Sequence, residues 1–595
     1  LDRKRRGVGQ KVEVSMLQAA LEMQFTRVAE MLNTSTRHQP SASHSSNLMP
    51  DAAYRALDGE VFITVQTPEQ WHGFCAALGH PEWAEDTRFS SNRLRLSHRA
   101  ELDALIAPVI AERPMIWWLR VMGRHSVPCS LAQHFEQIRH HVQIVGNAMI
   151  ERVQTPGWGE VTVGGLPWHF SRTPGAVRPP PVPGADNETI ASRWQARPAT
   201  PTPSSSANDQ RPVLQGLRVI ELASGVAGPL ASCRLGDLGA HVTKVESIPG
   251  DWMRLCPPDI ATGASSAFFA LNRGKQGLSL DCAQDTDRTT LKALLAEADV
   301  CITDWSDSEL RQWGLDGVDA PICPWNTRLI VARLSPWGRS GPLKDAPGSE
   351  LTAQAMAGYT RYLGRHGEPA VRLGADVASC ATGIFTLQAI LAALFERQNS
   401  GKGQAVELSL LNSLLSMKTV HLAAQSDPDK FEGPRVGGAY DPPERGWATR
   451  DKPITFAFGG AVGEQGRAGW VDFVKELGLT HMLDDPRYDK NGRMTTGLGP
   501  LARTLKPEYE KAFVLHDSEE VVAAVRRHGG FASAYMQLES LRTEPQALAL
   551  GVFVDAAQAG QHCAVLNYPA HFSELTTTIR VDPIDHRTST TTSSA

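Results

Sequence analysis

Cysteine is scarce and unpatterned in this chain: nine residues in 595, with no Cys-x-x-Cys pair. That excludes the usual zinc-ribbon spacing and offers no disulfide framework. No metal centre is expected, and a reducing cytoplasm is the expected setting. Charge of one sign is missing too. The 59 Lys and Arg against 64 Asp and Glu leave a net −5, without the basic excess that nucleic acid or an anionic membrane surface demands. Small molecules are the expected partners instead. No apolar run is expected to reach the roughly 18 residues that span a bilayer, and the Asp-Arg-Lys-Arg-Arg opening leads into a strand-like segment, not a signal-peptide core. The spacing G-x-G-x-x-G is also absent. Gly225, Gly228, Gly236 and Gly239 cluster, but Pro229 stands at the start of the following helix, which argues against a dinucleotide site.

What is present is ample apolar content, 42%, enough for large cores, and a long internal repeat. Gly7-Val8-Gly9-Gln10-Lys11-Val12-Glu13-Val14-Ser15 returns as Gly401-Lys402-Gly403-Gln404-Ala405-Val406-Glu407-Leu408-Ser409. Asp86-Thr87-Arg88-Phe89 returns as Asp485-Pro486-Arg487-Tyr488, Trp71 as Trp470, and Pro167-x-His169-Phe170-Ser171 as Pro569-x-His571-Phe572-Ser573. A period of roughly 400 residues is too long for a solenoid, so each copy is expected to be a globular unit. Because Leu1 falls in the middle of that unit, the first copy is expected to lack its front half. His169 and His571 have no carboxylate or cysteine at metal-ligand spacing and read as structural.

Residues 1–190 are thus expected to form the second half of a first copy, and 191–212, rich in Pro and Ser, a linker. Residues 213–425 are expected to form an α/β large domain of a second copy, and 426–590 its small domain and a returning segment. Leu217–Leu222 reads as a buried strand, Gly225–Pro229 as a turn, Pro229–Leu238 as a helix and His241–Glu246 as the next strand. Later pieces are a helix over 289–297 and strands at 299–303 and 329–334. Such β-turn-α-β units predict an open parallel sheet, with a ligand crevice at the strands' carboxyl ends.

Within this frame, Leu214-Gln215-Gly216-Leu217-Arg218-Val219-Ile220-Glu221, Ala227-Gly228-Pro229, Leu238-Gly239-Ala240-His241-Val242-Thr243-Lys244-Val245-Glu246, Gly250-Asp251 and Asn272-Arg273-Gly274-Lys275 resemble, in order, the signatures of class III CoA-transferases. These include formyl-CoA and carnitine CoA-transferases of the CaiB/BaiF type. The resemblance implies the class III fold: a Rossmann-like large domain, a smaller α+β domain, and two copies interlocked, here as a pseudo-dimer within one chain or as a homo-oligomer. It implies acyl-CoA and a small carboxylic acid as substrates, with coenzyme A passing between them and no tightly bound cofactor.

The family's nucleophile is an aspartate before a long helix, and Val371-Arg372-Leu373-Gly374-Ala375-Asp376 supplies it. The plainer reading of Asp376 is an N-cap, and the two roles can coexist. Glu350 aligns with an acidic active-site residue that orients substrate or shifts the Asp376 pKa; the alternative is a surface glutamate capping a helix. Ser349 stands about where related racemases carry a proton-transferring histidine, which counts against acyl-CoA racemisation, one alternative on this fold. A non-catalytic CoA-binding or assembly protein is another. By family position, CoA lies along Val226, Ala227, Ser247, Leu280, Asp281, Asp304 and Trp305. Val226, Ser247 and Asp304 replace the glutamine, arginine and asparagine of formyl-CoA transferase, and Arg254, Arg273 or Lys275 are candidates to compensate. Trp305 either stacks on adenine or belongs to the core. Gly459, Gly460 and Gly463 fall in a stretch similar to the family's glycine-rich lid, or form an ordinary exposed connection.

Overall fold

Alternation of short β-branched runs with helical segments beyond residue 213 builds one parallel sheet. In the computed structural model, its strands in chain order are β1 Arg218–Leu222, β2 His241–Ser247, β3 Gln276–Leu280, β4 Val300–Thr303, β5 Ile330–Ser335 and β6 Ala405–Ser409. The structure describes residues 1–7, 9–36, 41–157, 159–195, 211–248, 250–260, 264–363, 369–424, 446–458, 464–485, 502–558, 561–575, 577 and 579–580. Strands pair in the order β3-β2-β1-β4-β5-β6, all parallel, and Trp168–Phe170 adds an antiparallel seventh strand beside β6. This is the doubly wound Rossmann order, with its switch point between β1 and β4. The predicted α/β class and parallel sheet are therefore present.

Helices cover both faces. Ala227–Asp237 begins two residues before Pro229, Asp285–Glu297 covers the helix expected over 289–297, and Val377–Ser400 is the longest. That last helix corrects the reading of apolar runs, because it is long and apolar enough to cross a membrane by length and composition. Its polar interruptions are Ser, Thr and Gln, which a search for unbroken apolar stretches passes over. Here 67% of its apolar stretch is buried inside the fold, and Ala389, Ile390, Ala393 and Leu394 pack with Val300, Ile302, Ile330 and Ala332 of the sheet. Its end is set by Gly401, at φ 75°, a left-handed C-cap that glycine adopts without strain.

A chain of buried charges lies under β1. Lys244 Nζ is 2.8 Å from Glu221 Oε1 and 3.0 Å from Asp251 Oδ2, and Lys275 Nζ is 2.7 Å from Glu221 Oε2. Burial alone would neutralise Glu221, yet the two ammonium groups outweigh it and hold its pKa down to about 2.

The chain divides into two compact units, 1–426 with 545–595, and 427–544. In the first, residues 1–170 contribute the helix Phe25–Asn33 and a three-stranded antiparallel sheet of Asp51–Ala56, Gly59–Thr64 and Cys129–Leu131. A core including Trp71, Phe74, Phe89 and Trp118 packs against that sheet. The repeated motifs pair reciprocally. Val12 and Glu13 lie opposite Phe572 and His571, while Val406 and Glu407 lie opposite Phe170 and His169. The flanking bonds match as well: Lys11 N–H donates to Ser573 Oγ at 3.1 Å and Ala405 N–H to Ser171 Oγ at 3.0 Å. The second unit pairs Ile454–Ala457 with Phe531–Ala534 over a core that includes Trp447, Phe456, Trp470, Phe473 and Tyr509. All nine cysteines are unpaired.

Candidate active site

The switch point opens a crevice at the carboxyl ends of the strands, where such sheets bind ligands. Ser224, just past β1, donates its N–H to Asp304 Oδ2, just past β4, at 2.9 Å. Gly225 has φ 74° and sits so close to Trp252 that a Cβ would fall 2.6 Å from the ring; its N–H donates to Asp251 Oδ1 at 3.0 Å. A side chain there would disturb both the turn and the ring beside it.

The cavity above this turn, about 170 Å³, lies within the first unit and is lined both by residues beyond 213 and by residues before 70. Val226, Ala227, Asp304, Glu350, Asp376 and Ser379 belong to the former, and Arg27, Asn47, Asp51, Thr64 and Gln66 to the latter. Asp376 occupies the N-cap position of Val377–Ser400, yet its side chain makes no capping bond. Instead Asp376 Oδ2 accepts from Thr26 Oγ1 at 2.5 Å and faces Arg27 Nη2 at 3.5 Å. The cap is supplied by Glu350: Oε1 accepts the Ala378 N–H at 2.8 Å, and Oε2 accepts the Ser379 N–H at 2.8 Å and hydroxyl at 2.7 Å. Glu350 thus caps a helix distant in sequence, and Ser349 caps the one that Glu350 begins. Because another carboxylate satisfies the helix start, Asp376 is left to face the cavity.

Burial, and then the nearby Asp376 charge, raise the Glu350 pKa above its ordinary 4.5, against the N–H and hydroxyl donors that favour its anion. The unfolded chain ionises Glu350 at its ordinary value, while the folded chain keeps the proton to higher pH. Its contribution to stability is therefore complete below 4.5 and is lost as pH rises through the raised value. Wild type is expected to lose unfolding free energy across that interval relative to Glu350→Gln, measured by denaturant titration at closely spaced pH. Parallel pH slopes for the two proteins would contradict the shift.

Of the residues expected to hold CoA, Val226, Ala227 and Asp304 line the cavity. Ser247 and Leu280 end β2 and β3 as a register pair on the same sheet edge. Leu280 belongs to the core, Asp281 Oδ1 accepts the Ala283 N–H, and Trp305 is buried and stacked on Trp313 with centroids 5.3 Å apart. These last four do not line the cavity. Arg273 is buried against Asp237 and Lys275 against Glu221, whereas Arg254 pairs with Glu246 and lies 3.9 Å over the Phe268 ring. Gly459, Gly460 and Gly463 lie outside the described residues. His169 Nε2 lies 3.1 Å from the Asn147 carbonyl oxygen. Among the described residues, no group of three His, Cys, Asp or Glu is placed to hold a metal ion.

Sequence reasoning missed Thr26, Arg27 and Glu30. Arg27 and Glu30 stand three residues apart, but that residues 25–32 of their helix are all buried, where unpaired charges are not tolerated, is visible only in the fold.

The model for CoA-transferase family III matches residues 1–189 and 214–584. The mouse succinyl-CoA:glutarate CoA-transferase is 30% identical over 296 residues, 49% of this chain and 65% of the relative. An acyl-CoA transferase of Fusarium pseudograminearum is 28% identical over 433 residues, 70% and 90% of the respective chains. Among solved structures, a CaiB/BaiF family protein from Brucella suis superposes with a TM-score of 0.54 at 26% identity, covering 63% of this chain and 97% of that one. With the fold, the crevice and both matched segments in agreement, this chain belongs to CoA-transferase family III and is an enzyme of the transferase class.

Proposed function

We propose that the enzyme moves CoA from an acyl-CoA thioester to a small carboxylic acid through covalent intermediates on Asp376. The observation that carries this reading is the division of labour at one helix start. Glu350 takes the capping bonds, and the Asp376 carboxylate is turned into the cavity toward Thr26 and Arg27. A carboxylate is a weak nucleophile, so it has to be positioned and partly desolvated against the thioester carbonyl. Attack gives a mixed anhydride and CoA thiolate. The thiolate then attacks the aspartyl carbonyl of the anhydride, the C–O bond breaks and the donor acid leaves as a carboxylate, giving an aspartyl-CoA thioester that the acceptor acid discharges. Coenzyme A is substrate here, with no tightly bound cofactor. Relatives named for succinate, glutarate and oxalate make short carboxylic acids the first acceptors to try, and the nine unpaired cysteines suit a reducing cytoplasm.

The reciprocal pairing of repeated motifs supports a tandem pseudo-dimer, in which residues 1–190 act as the partner half that completes the Asp376 site. Racemisation would require a second proton-transfer group. The Ser349 hydroxyl is instead bonded to Thr64 Oγ1 at 2.8 Å and caps its own helix.

Intact-mass spectrometry after incubation with a panel of acyl-CoA thioesters and a hydroxylamine quench tests the mechanism. An Asp376 hydroxamate is expected with at least one thioester. Turnover without any adduct would refute covalent transfer.

A further inference from the structure

Among the described residues, two guanidinium groups line the cavity, and they differ in what remains open. Arg372 is engaged by Asp51, with Nη1 to Oδ2 at 2.6 Å, and its Nε reaches the Leu373 carbonyl at 3.4 Å. Arg27 is divided. Its Nη1 donates to both Glu30 carboxylate oxygens at 2.9 and 2.8 Å and to Asn47 Oδ1 at 2.8 Å. Its Nε has no hydrogen-bond partner among the described residues, and Nη2 stands 3.5 Å from Asp376 Oδ2, well beyond the about 2.7–2.9 Å of a charge-assisted bond. Nε and Nη2 together form the side-on edge with which arginine grips a carboxylate in two parallel bonds. One end of this buried guanidinium is thus anchored, and the edge nearest the nucleophile is underused.

The charges around Arg27 change during the proposed cycle. Glu30, fully buried beside it, balances the guanidinium throughout. Asp376 adds a further negative charge in the free enzyme, and burial, which by itself would lower the Arg27 pKa, is outweighed by Glu30 and Asp376. Once Asp376 becomes an anhydride or thioester its charge is gone. A low-dielectric site then favours the entry of another anion at the same place.

We infer that the Nε/Nη2 edge of Arg27 is the acceptor's seat: it faces Asp376 in the free enzyme and receives the acceptor carboxylate once Asp376 is acylated. This rests on the covalent reading above and adds an order of events, because the acceptor's place is created by the first half-reaction. From that seat an acceptor oxygen attacks the aspartyl-CoA carbonyl carbon; the C–S bond breaks and CoA leaves as thiolate. The thiolate then attacks the acceptor's acyl carbon in the new anhydride, the C–O bond breaks, and the Asp376 carboxylate is restored opposite Arg27. No oxidant or further reactant is needed. The ligand class is a carboxylate presented end-on, with selectivity for the rest of the acid left to other walls of the cavity.

The test compares how the aspartyl-CoA thioester is discharged by two nucleophiles: hydroxylamine, which is neutral, and whichever of oxalate, succinate or glutarate discharges wild type fastest. The variant is Arg27→Gln combined with Glu30→Gln, so that no buried charge is stranded. Losing a charged hydrogen bond to the acid is expected to depress discharge by the acid about tenfold or more relative to discharge by hydroxylamine, chiefly through the acid concentration at half-saturation. Arg27→Lys with Glu30 intact is expected to recover part of that difference. Equal losses with both nucleophiles would mean that Arg27 only shapes the site and would overturn the inference, as would an unchanged half-saturation. Absence of the thioester in wild type with every acyl-CoA is seen before any variant is made, and it defeats the covalent reading and this inference together.

Discussion

Asp376→Asn is expected to lower turnover by about 10⁴-fold or more, the size of loss seen when a nucleophile is removed and only binding remains. The substitution is close to isosteric: the amide oxygen can still accept from Thr26 Oγ1, now 2.5 Å from Asp376 Oδ2. The helix start stays satisfied because its N–H groups are bonded to Glu350. Stability should therefore change little while chemistry is lost, a separation that a structural cap would not allow. A second readout follows from charge. Removing the neighbouring anion takes away one of the two causes that raise the Glu350 pKa, so the variant's stability profile is expected to lose part of its decline above pH 4.5. Steady-state transfer with several acyl-CoA donors, together with denaturant curves, checks both. Turnover within tenfold of wild type would exclude Asp376 as nucleophile.

The largest effect on stability is expected at Glu221→Leu. Glu221 is 0% exposed and lies within 2.8 Å of two lysine ammonium groups that are themselves 0% and 1% exposed. Removing the shared carboxylate leaves two buried cations with too little compensation, which costs about 3–5 kcal/mol. Asp251 offsets part of this for Lys244, at 3.0 Å, and the Pro229 carbonyl and Asn272 Oδ1 part for Lys275, at 3.0 and 2.9 Å. The damage reaches the site, because Lys244 also holds the Ala223 carbonyl at 2.7 Å, just before the turn that lines the cavity. Adding Lys275→Met to Glu221→Leu is expected to return part of the loss, since two orphaned charges become one. Urea unfolding of the unit containing the parallel sheet measures both variants, and a loss under about 1 kcal/mol for the single change would show that the network tolerates its own dismantling.

The architecture was legible because strand and helix periods differ: the runs Arg218–Leu222, His241–Ser247 and Ile330–Ser335 needed only local patterning to be placed within a residue or two. The place of Asp376 just before a long helix was legible; its surroundings were not. Thr26 is 350 residues away in sequence, and no local pattern announces that a hydroxyl in one segment will meet a carboxylate in another. Glu350 was read as a surface cap or an active-site acid. It caps the helix after Asp376 and is held among buried groups, because the fold brings its own helix beside that one. The edge residues Ser247, Leu280, Asp281 and Trp305 show the opposite limit. Motif position brings them to the carboxyl end of the sheet, but packing, such as Trp305 on Trp313, decides which side chains face the cavity.

The reciprocal strand pairs also set a schedule. Lys11 and Ser573, bonded to each other, are 562 residues apart in sequence. At a synthesis rate of about 5–20 residues per second, roughly half a minute to two minutes separate their appearance. Throughout that interval the edge at Val12–Glu13 has no strand beside it, and the helix carrying Thr26 and Arg27 must stay unaggregated next to it. A chain ended between Ser409 and His571 would thus carry all six parallel strands and an unpaired early edge. For this enzyme, nascent-chain protection is needed longest at the Val12–Glu13 edge, whose partner strand is made last.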